Sequence, residues 1–140
     1  MIAGVLAVWW RRPWLFLQVV LADFAAQLIS YGLRQAIGRE RPPVVYVAPK
    51  PLVHVPHDGS FPSGHATASF ACATMLAFSA PRAAPAFFLL AAAIAWSRVY
   101  VGVHYPLDVL GGAVLGVLVA IALRWLLAGL RRSRREMPAG

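Results

Sequence analysis

The sequence predicts an all-α fold: an integral-membrane helical bundle with four full transmembrane helices and a partial N-terminal helix. Two observations support this prediction. Hydrophobic residues make up 60% of the 140 residues, and the mean hydropathy of +0.67 is high for a soluble domain of this length. The apolar residues are also grouped into stretches close to the roughly 20 residues that a helix needs to cross a bilayer.

Four apolar stretches approach this length. The first ten residues form a shorter apolar piece that ends in Trp9 and Trp10, as expected for the end of a helix whose beginning is absent. We predict one membrane-embedded domain over residues 1–140, in which residues 38–63 form a long, proline-rich outer loop. The predicted spans are residues 14–37, 64–80, 85–103 and 106–128.

The charged residues indicate a membrane surface as partner and a direction of insertion. Lys and Arg number 13 against 5 Asp and Glu, and they lie at the ends of apolar stretches or in loops, so no nucleic-acid partner is predicted. If the spans alternate, Arg11, Arg12, Arg82 and the tail 131–136 share one side, which the positive-inside rule assigns to the cytoplasm. The long loop then faces outward. The basic residues of that outer side, which we expect a ligand to hold, are Arg34, Arg39, Arg41, Lys50 and Arg98.

Three smaller features have structural interpretations. Cys72 lies in an apolar run and is the single cysteine, so we interpret it as a packing residue. The N-terminus has its apolar part before its arginines, the reverse of a secretory signal, and no targeting peptide is predicted. Gly112 and Gly116 are one helical turn apart, which predicts close helix packing.

Polar residues that are costly in lipid fall into three clusters. The segment RQAIGRERP contains Arg34 and Arg41, seven residues or two helical turns apart. The segment PSGH, residues 62–65, opens the next helix, and SRVYVGVHYPLD, residues 97–108, joins the last two spans. Alternation of the spans brings all three clusters to one membrane face, so we expect a single site there rather than isolated snorkelling side chains.

The arginines of these clusters indicate the chemistry of the ligand. Arg34, Arg41 and Arg98 supply planar, permanently charged donors that match an anion with several oxygens, which points to phosphate. Gly64 should let the backbone approach this ligand. The free N–H groups of the helix that follows Ser63 should point at the anion.

Two histidines and one carboxylate would complete a catalytic site. Because Pro106 favours a helix start, Asp108 can reach back to one imidazole nitrogen of His104 and fix its tautomer, which leaves the other nitrogen free to attack phosphorus. His65 is placed to protonate the leaving oxygen. The alternative is a metal ion shared by these three residues, but the nearby arginines would repel it, so no metal or cofactor is predicted.

In order, spacing and residue type, these motifs resemble the three-part motif of the type 2 phosphatidic acid phosphatase family. That family includes lipid phosphate phosphatases, bacterial undecaprenyl pyrophosphate phosphatases and, more distantly, soluble vanadium haloperoxidases. The resemblance implies that His104 forms a phosphohistidine, Asp108 orients it and His65 protonates the leaving group. It implies that phosphate is held without a metal by Arg34, Arg41, Ser63, Gly64 and Arg98.

The chain departs from the family pattern in two respects. The family usually has lysine at the position of Arg34, and arginine is longer and forked. Integral-membrane members commonly have six spans with the site on the last four. The chain has those four and a fragment, so we expect either a minimal member or one without its N-terminal helices.

The predicted function is therefore a metal-independent lipid phosphate phosphatase of the cell membrane with an extracytoplasmic site. A polyprenyl diphosphate is the favoured substrate, because Arg39 and Lys50 add positive charge and the site faces outward. Phosphatidate, phosphatidylglycerol phosphate and a polyprenyl-phosphate sugar phosphate stay open, as does the oligomeric state. A non-hydrolytic lipid binder or transporter would need the arginines but not His104 and Asp108 opposite His65. A vanadate-dependent oxidase is disfavoured because its relatives are soluble.

Overall fold

A computed structural model describes residues 12–46 and 50–136, with side chains described through residue 131. Within these residues the chain is helical and contains no strand, in agreement with the predicted all-α class. The partial helix predicted for the first ten residues lies outside the described part. The helices are α1 (Pro13–Ile37), α2 (Pro42–Val45), α3 (Gly64–Ser79), α4 (Ala84–Tyr100) and α5 (Pro106–Glu136), with a 3₁₀ turn at Pro81–Ala83.

Three helical segments are long and apolar enough to cross a membrane: Pro13–Val45, Pro81–Tyr100 and Pro106–Arg131. The remaining predicted span forms α3, which has 16 residues and is shorter than the roughly 20 residues of a full span. The described residues thus support an integral-membrane protein with three candidate spanning helices. The predicted count of four full spans is not confirmed.

Prolines and a glycine set the ends of the helices that carry the site. Pro13 and Pro106 occupy the first positions of α1 and α5, where a missing N–H costs no helical hydrogen bond. Gly38 follows α1 with φ 62°, the left-handed conformation that glycine adopts without strain, and its N–H donates to the Arg34 carbonyl at 3.0 Å. Arg34 therefore lies in the last turn of α1, at the end of the span.

Helix α3 is central and packs against α1, α4 and α5. Its contact with α5 depends on two glycines, as the sequence predicted. A Cβ at Gly112 would lie 2.6 Å from the Ser63 carbonyl oxygen, and one at Gly116 would collide with the Thr67 carbonyl. This close approach aligns the beginnings of both helices, and the Ser63 N–H donates to the Asp108 carbonyl at 2.9 Å.

The interior of the bundle is built from small side chains, whereas large apolar side chains point outward. Ala22 and Ala26 of α1 are fully buried against Met75 of α3. Phe24 and Trp125 are 65% and 76% exposed, as expected for a surface that faces lipid rather than water. Cys72 of α3 is a free thiol at intermediate burial.

Candidate active site

The segment between α2 and α3 lies across the ends of the helices that carry the polar clusters. The Leu52 N–H donates to the Val101 carbonyl in the turn between α4 and α5, at 3.1 Å. The Ser60 N–H donates to the Arg39 carbonyl just after α1, at 2.7 Å. These two backbone hydrogen bonds hold the loop of residues 38–63 against the ends of α1 and α4, next to the polar clusters.

A cavity of about 890 Å³ lies where the three polar clusters meet. Six of the eight predicted site residues line it, so most of the predicted convergence is present in the structure. Ser63 and Asp108 are instead fully buried behind its wall. The predicted residues that line the cavity are Arg34, Arg41, Gly64, His65, Arg98 and His104.

Arg34 crosses the beginning of α3 at Gly64. A Cβ on Gly64 would lie 2.6 Å from Arg34 Nη1, so the absence of a side chain at Gly64 makes room for the guanidinium. We expected this glycine to give a ligand access to the backbone, but its closest neighbour is the arginine. Arg34 Nε lies 2.7 Å from Asp58 Oδ2, and Nη1 lies 3.3 Å from Ser30 Oγ.

Arg41 is 4% exposed and makes four polar contacts. Its Nε donates to the Asp58 carbonyl at 3.0 Å, and its Nη2 lies 2.8 Å from Asp58 Oδ1. Its Nη1 donates to the Val103 carbonyl at 3.0 Å and lies 3.2 Å from His104 Nε2. Arg41 thus joins the loop, the turn before α5 and the predicted nucleophile.

Asp58 pairs with two of the three arginines that were predicted to hold phosphate, and sequence reasoning missed it. Burial alone would raise the pKa of Asp58, but the hydrogen bond and charge of Arg41 and the charge of Arg34 lower this pKa below its ordinary value. The carboxylate is therefore an anion already bound to the two guanidiniums. The signal in the sequence was that Asp58 is the only acid in residues 42–63.

Arg98 and His65 leave more of their polar surface open to the cavity. Among the described residues the Arg98 guanidinium makes one hydrogen bond, from Nε to Ser97 Oγ at 3.1 Å. His65, in the first turn of α3, is exposed at the cavity wall. These two side chains can reach a ligand without breaking an internal ion pair.

The hydrogen bonds around His104 fix its tautomer. The ring is 5% exposed, and Nδ1 lies 2.8 Å from the Ser60 carbonyl oxygen. Because a carbonyl can only accept, Nδ1 must carry the hydrogen, and Nε2 of the neutral ring keeps a lone pair. Arg41 Nη1 donates toward that lone pair. Nε2 is therefore the ring nitrogen that carries the lone pair, as the predicted role of His104 requires.

Asp108 does not make the hydrogen bond that the sequence predicted. Its Oδ2 is 3.6 Å from His104 Nδ1, too long for a hydrogen bond, and accepts instead from the Ser60 hydroxyl and from the Tyr105 N–H at 2.8 Å. Its Oδ1 accepts from Arg39 Nη1 at 2.8 Å. The reason is local. Asp108 is the third residue of α5 and accepts from the N–H of Tyr105, the residue just before the helix, and this bond turns the carboxylate away from the ring.

Arg39 also differs from the expectation. We expected its charge to add to the phosphate site, but the structure pairs it with the fully buried Asp108. Its Cζ lies 4.3 Å from the centroid of the Tyr105 ring, a cation–π contact that holds the guanidinium there. Lys50, the other expected extra charge, is exposed.

Ser63 has a hydroxyl whose partner is missing among the described residues. Its Oγ is buried and makes no hydrogen bond with them, whereas its backbone N–H and C=O bond to Asp108 and Thr67. A buried hydroxyl without a partner costs free energy, so such groups are rare unless a ligand or water binds them. This fits a hydroxyl that takes part in anion binding.

Within residues 12–46 and 50–136, no group of three or more His, Cys, Asp or Glu side chains is arranged to hold a metal ion. The two acids nearest to His104, Asp58 and Asp108, are each paired with arginine. The expected independence of metals stays a prediction that requires an assay.

A family model described as the PAP2 superfamily matches residues 3–132, which is nearly the whole chain. The protein belongs to the PAP2 superfamily. The resemblance stated from the three motifs is thereby confirmed, and the matched region contains every predicted site residue.

Named relatives and a solved structure of this superfamily agree with the assignment. YbjG of Escherichia coli (strain K12), which carries a provisional undecaprenyl-diphosphatase name, is 34% identical over 84% of this chain and 61% of its own length. The decaprenylphosphoryl-5-phosphoribose phosphatase of Mycobacterium tuberculosis (strain ATCC 25618 / H37Rv) is 33% identical over 90% of this chain and 68% of its own. The transmembrane PAP2-type phosphatidylglycerolphosphate phosphatase of Bacillus subtilis has a TM-score of 0.66 at 30% identity, over 91% of this chain and 65% of its own. The chain thus spans about three fifths to two thirds of their lengths.

Proposed function

We propose that the protein hydrolyses the terminal phosphate of a membrane lipid, with His104 as the nucleophile that forms a phosphohistidine. The observation that carries this proposal is the state of the His104 ring. Its Nδ1 is engaged by a carbonyl at 2.8 Å, which leaves a lone pair on Nε2 at the wall of a cavity that three arginines also line. Nucleophilic attack on phosphorus needs such an unprotonated nitrogen beside a cationic oxyanion site.

The proposed reaction has two displacements. Arg41 Nη1 turns from His104 Nε2 to a phosphate oxygen, which releases the lone pair of Nε2. Nε2 then attacks phosphorus, the bond from phosphorus to the leaving oxygen breaks, and His65 donates a proton to that oxygen. Water then attacks the phosphohistidine while His65 takes a proton from it, and inorganic phosphate leaves with both histidines restored. The exposure of His65 at the cavity wall supports this role.

The arginines would neutralise the phosphate oxygens. Arg98 is available without rearrangement, since its one hydrogen bond among the described residues goes to Ser97. Arg34 and Arg41 are paired with Asp58, so phosphate must replace that carboxylate at Arg34 Nε and Arg41 Nη2. A phosphate monoester offers more oxygens and more charge than one carboxylate, which favours this exchange.

Asp108 would stabilise the positive charge that develops on the ring. Once Nε2 bonds to phosphorus, the His104 ring becomes cationic, and the Asp108 carboxylate lies 3.6 Å from its Nδ1. At that distance an ionised carboxylate attracts the imidazolium without holding its hydrogen. Asp108 therefore acts in the proposed mechanism through charge rather than through a direct hydrogen bond.

We propose a polyprenyl diphosphate of the undecaprenyl type as the substrate. The provisional name of YbjG and the expected outward site support it, although the pairing of Arg39 with Asp108 removes one reason given from the sequence. The names of the other two relatives keep a polyprenyl-phosphate sugar phosphate and phosphatidylglycerol phosphate as alternatives. Phosphatidate, which none of these three names mentions, is the third alternative.

We also propose that residues 1–140 form one domain, in which α3 crosses the membrane with α1, α4 and α5 and the site opens at the outer face of the cell membrane. The apolar composition of α3 and its central packing support its place in the bilayer. Arg12 before α1, Arg82 before α4 and Arg131 in the last part of α5 lie at the helix ends opposite to the cavity. By the positive-inside rule these ends suit the cytoplasm, which supports a cavity that opens to the outside.

The test is phosphate release from a panel of detergent-solubilised lipids that covers the four substrates above. The wild type should release phosphate, and ³²P from a labelled substrate should be trapped on the protein in an acid-labile, base-stable form. His104→Ala should abolish both signals, whereas His57→Ala, which changes an exposed loop histidine, should retain them.

Two outcomes would contradict the proposal. Turnover by His104→Ala comparable to the wild type would exclude this nucleophile. Tight binding of lipid phosphates by the wild type without any phosphate release would instead favour the non-hydrolytic binder.

A further inference from the structure

Ser60 touches three parts of the site although no motif pointed to it. The residue is fully buried. Its N–H donates to the Arg39 carbonyl at 2.7 Å, its carbonyl accepts from His104 Nδ1 at 2.8 Å, and its hydroxyl donates to Asp108 Oδ2. One residue of the outer loop thus connects the end of α1, the nucleophile and the start of α5.

The carbonyl and the hydroxyl of Ser60 both help to position the His104 imidazole. The carbonyl determines which ring nitrogen is protonated, because it can only accept a hydrogen bond. The hydroxyl occupies Asp108 Oδ2, and the other carboxylate oxygen is held by Arg39 at 2.8 Å. With both oxygens engaged, the carboxylate stays 3.6 Å from Nδ1 and does not compete for its hydrogen.

The hydroxyl is also what fastens the carbonyl in place. Ser60 belongs to a long loop, and its side-chain bond to Asp108 attaches it to the first turn of α5, which begins two residues after His104. Without the hydroxyl bond, Ser60 would keep its N–H bond to the Arg39 carbonyl but would lose its link to α5, so its carbonyl would be held less firmly relative to the ring. Small displacements matter here, since a misplacement of about 1 Å can cost about 100-fold in rate.

We propose that Ser60 is the positioning residue for the nucleophile: its hydroxyl anchors the loop on Asp108, so that its carbonyl holds the His104 ring in the tautomer whose Nε2 carries the lone pair. This inference rests on the proposed role of His104. It assigns to Ser60 the orienting function that the sequence spacing and the family resemblance had assigned to Asp108.

The kinetic test compares Ser60→Ala with the hydroxyl-retaining Ser60→Thr in the lipid phosphatase assay. Ser60→Ala should lower kcat by roughly 10- to 100-fold with KM changed by less than about threefold, because orientation rather than substrate binding is lost. Ser60→Thr should recover a large part of kcat. Thr74→Val is the matched control, because it removes another buried hydroxyl, bonded to the Phe70 carbonyl at 2.8 Å and outside the set of residues that line the cavity.

A double-mutant cycle tests whether Ser60 acts through Asp108. In an Asp108→Asn background the hydroxyl no longer meets a charged acceptor, so Ser60→Ala should lower kcat by less than about threefold. Full additivity of the two substitutions would overturn the proposed route through the carboxylate.

The tautomer of the wild type provides a measurement that needs no folded Ser60 variant. In ¹⁵N-histidine-labelled protein, with His104→Gln used for assignment, the neutral His104 ring should show a protonated Nδ1 and a bare Nε2. The opposite tautomer, or an unchanged kcat in Ser60→Ala while the wild type is active, would overturn the inference. Failure of the wild type to release phosphate from any lipid would instead refute the proposed function.

Discussion

Asp58 meets Arg41 twice: Oδ1 lies 2.8 Å from Nη2, and the backbone carbonyl accepts from Nε at 3.0 Å. The second carboxylate oxygen lies 2.7 Å from Arg34 Nε. An internal carboxylate therefore lies between two guanidiniums that the family motif associates with phosphate. The two arginines are kept in place by an anion of the protein itself.

Replacing Asp58 with asparagine should strengthen inhibition by inorganic phosphate. The amide would keep the shape of the side chain but remove the charge that competes for Arg34 and Arg41, so the inhibition constant should fall by about tenfold or more. The measurement is inhibition of lipid phosphate hydrolysis by added phosphate. Glu40→Gln, which neutralises an acid near the same arginines, should leave the constant unchanged. Weaker inhibition in Asp58→Asn would show that the carboxylate positions the arginines and does not compete with phosphate.

The same carboxylate should make stability depend on pH. The pKa of Asp58 is lowered in the folded protein, so its ion pairs contribute fully above its ordinary unfolded pKa and are lost as the pH falls through the lowered folded value. The difference in free energy of unfolding between the wild type and Asp58→Asn should therefore be constant near neutral pH and shrink in acid. Unfolding in detergent at a series of pH values measures it, and a difference that grows in acid would contradict the assignment.

Gly64→Ala should damage the site while leaving the helix intact. The added Cβ would lie 2.6 Å from Arg34 Nη1, so the guanidinium must move away from the beginning of α3. Activity should fall by about 100-fold, as expected for a misplaced catalytic group. Gly32→Ala is the control, since a Cβ there has no neighbour within 4 Å. Equal activity of the two variants would mean that the position of Arg34 is unimportant.

Hydrolysis should continue in the presence of a chelator. The proposed chemistry uses arginines for charge neutralisation, and the described residues contain no cluster of metal-ligating side chains. Activity in excess EDTA should stay within about twofold of the untreated value if no metal takes part. Loss of activity that an added divalent cation restores would refute the arginine-based mechanism.

The active site should face the outside of the cell. Single cysteines are placed at Val53, an exposed residue of the outer loop, and at Ser133, near the end of α5, in a variant that lacks Cys72. On intact cells a membrane-impermeant thiol reagent should label position 53 but not position 133, because the positive-inside rule assigns the arginine-rich tail to the cytoplasm. Both should react after permeabilisation. The reverse pattern would place the site on the cytoplasmic face.

Much of the architecture could be predicted because it depends on residues close together in the chain. Prolines at helix starts, Gly38 after α1 and the apolar stretches are local signals, and they set the helix ends to within a few residues. The pair Gly112 and Gly116 predicted close helix packing for a steric reason, and the structure identifies α3 as the helix that approaches them. The predicted span 64–80 agrees with α3 to within one residue, but 16 residues are short of a full crossing, so its count as a full span is not confirmed.

The sequence predicted most residues of the site but few of the hydrogen bonds between them. Spacing in the sequence brought Arg34, Arg41, His65, Arg98 and His104 to one cavity, because alternating helices return to the same face. The four-residue spacing also put Asp108 near His104. Proximity in the sequence does not decide which group accepts the hydrogen bond from His104 Nδ1, however. The Ser60 carbonyl accepts it, while the Asp108 carboxylate accepts from Ser60 and Arg39.

Those donors and acceptors come from the outer loop, which only the tertiary structure could position. Asp58 on the arginines, Ser60 on the imidazole and Arg39 on Asp108 are contacts across 17, 44 and 69 positions of sequence. No periodic pattern encodes such contacts, since they result from the path of an irregular segment rather than from helical repeat. The sequence by itself determined a helical membrane protein with a cationic, histidine-containing site. The folded loop decided which groups hold the His104 ring and which anion of the chain the arginines bind.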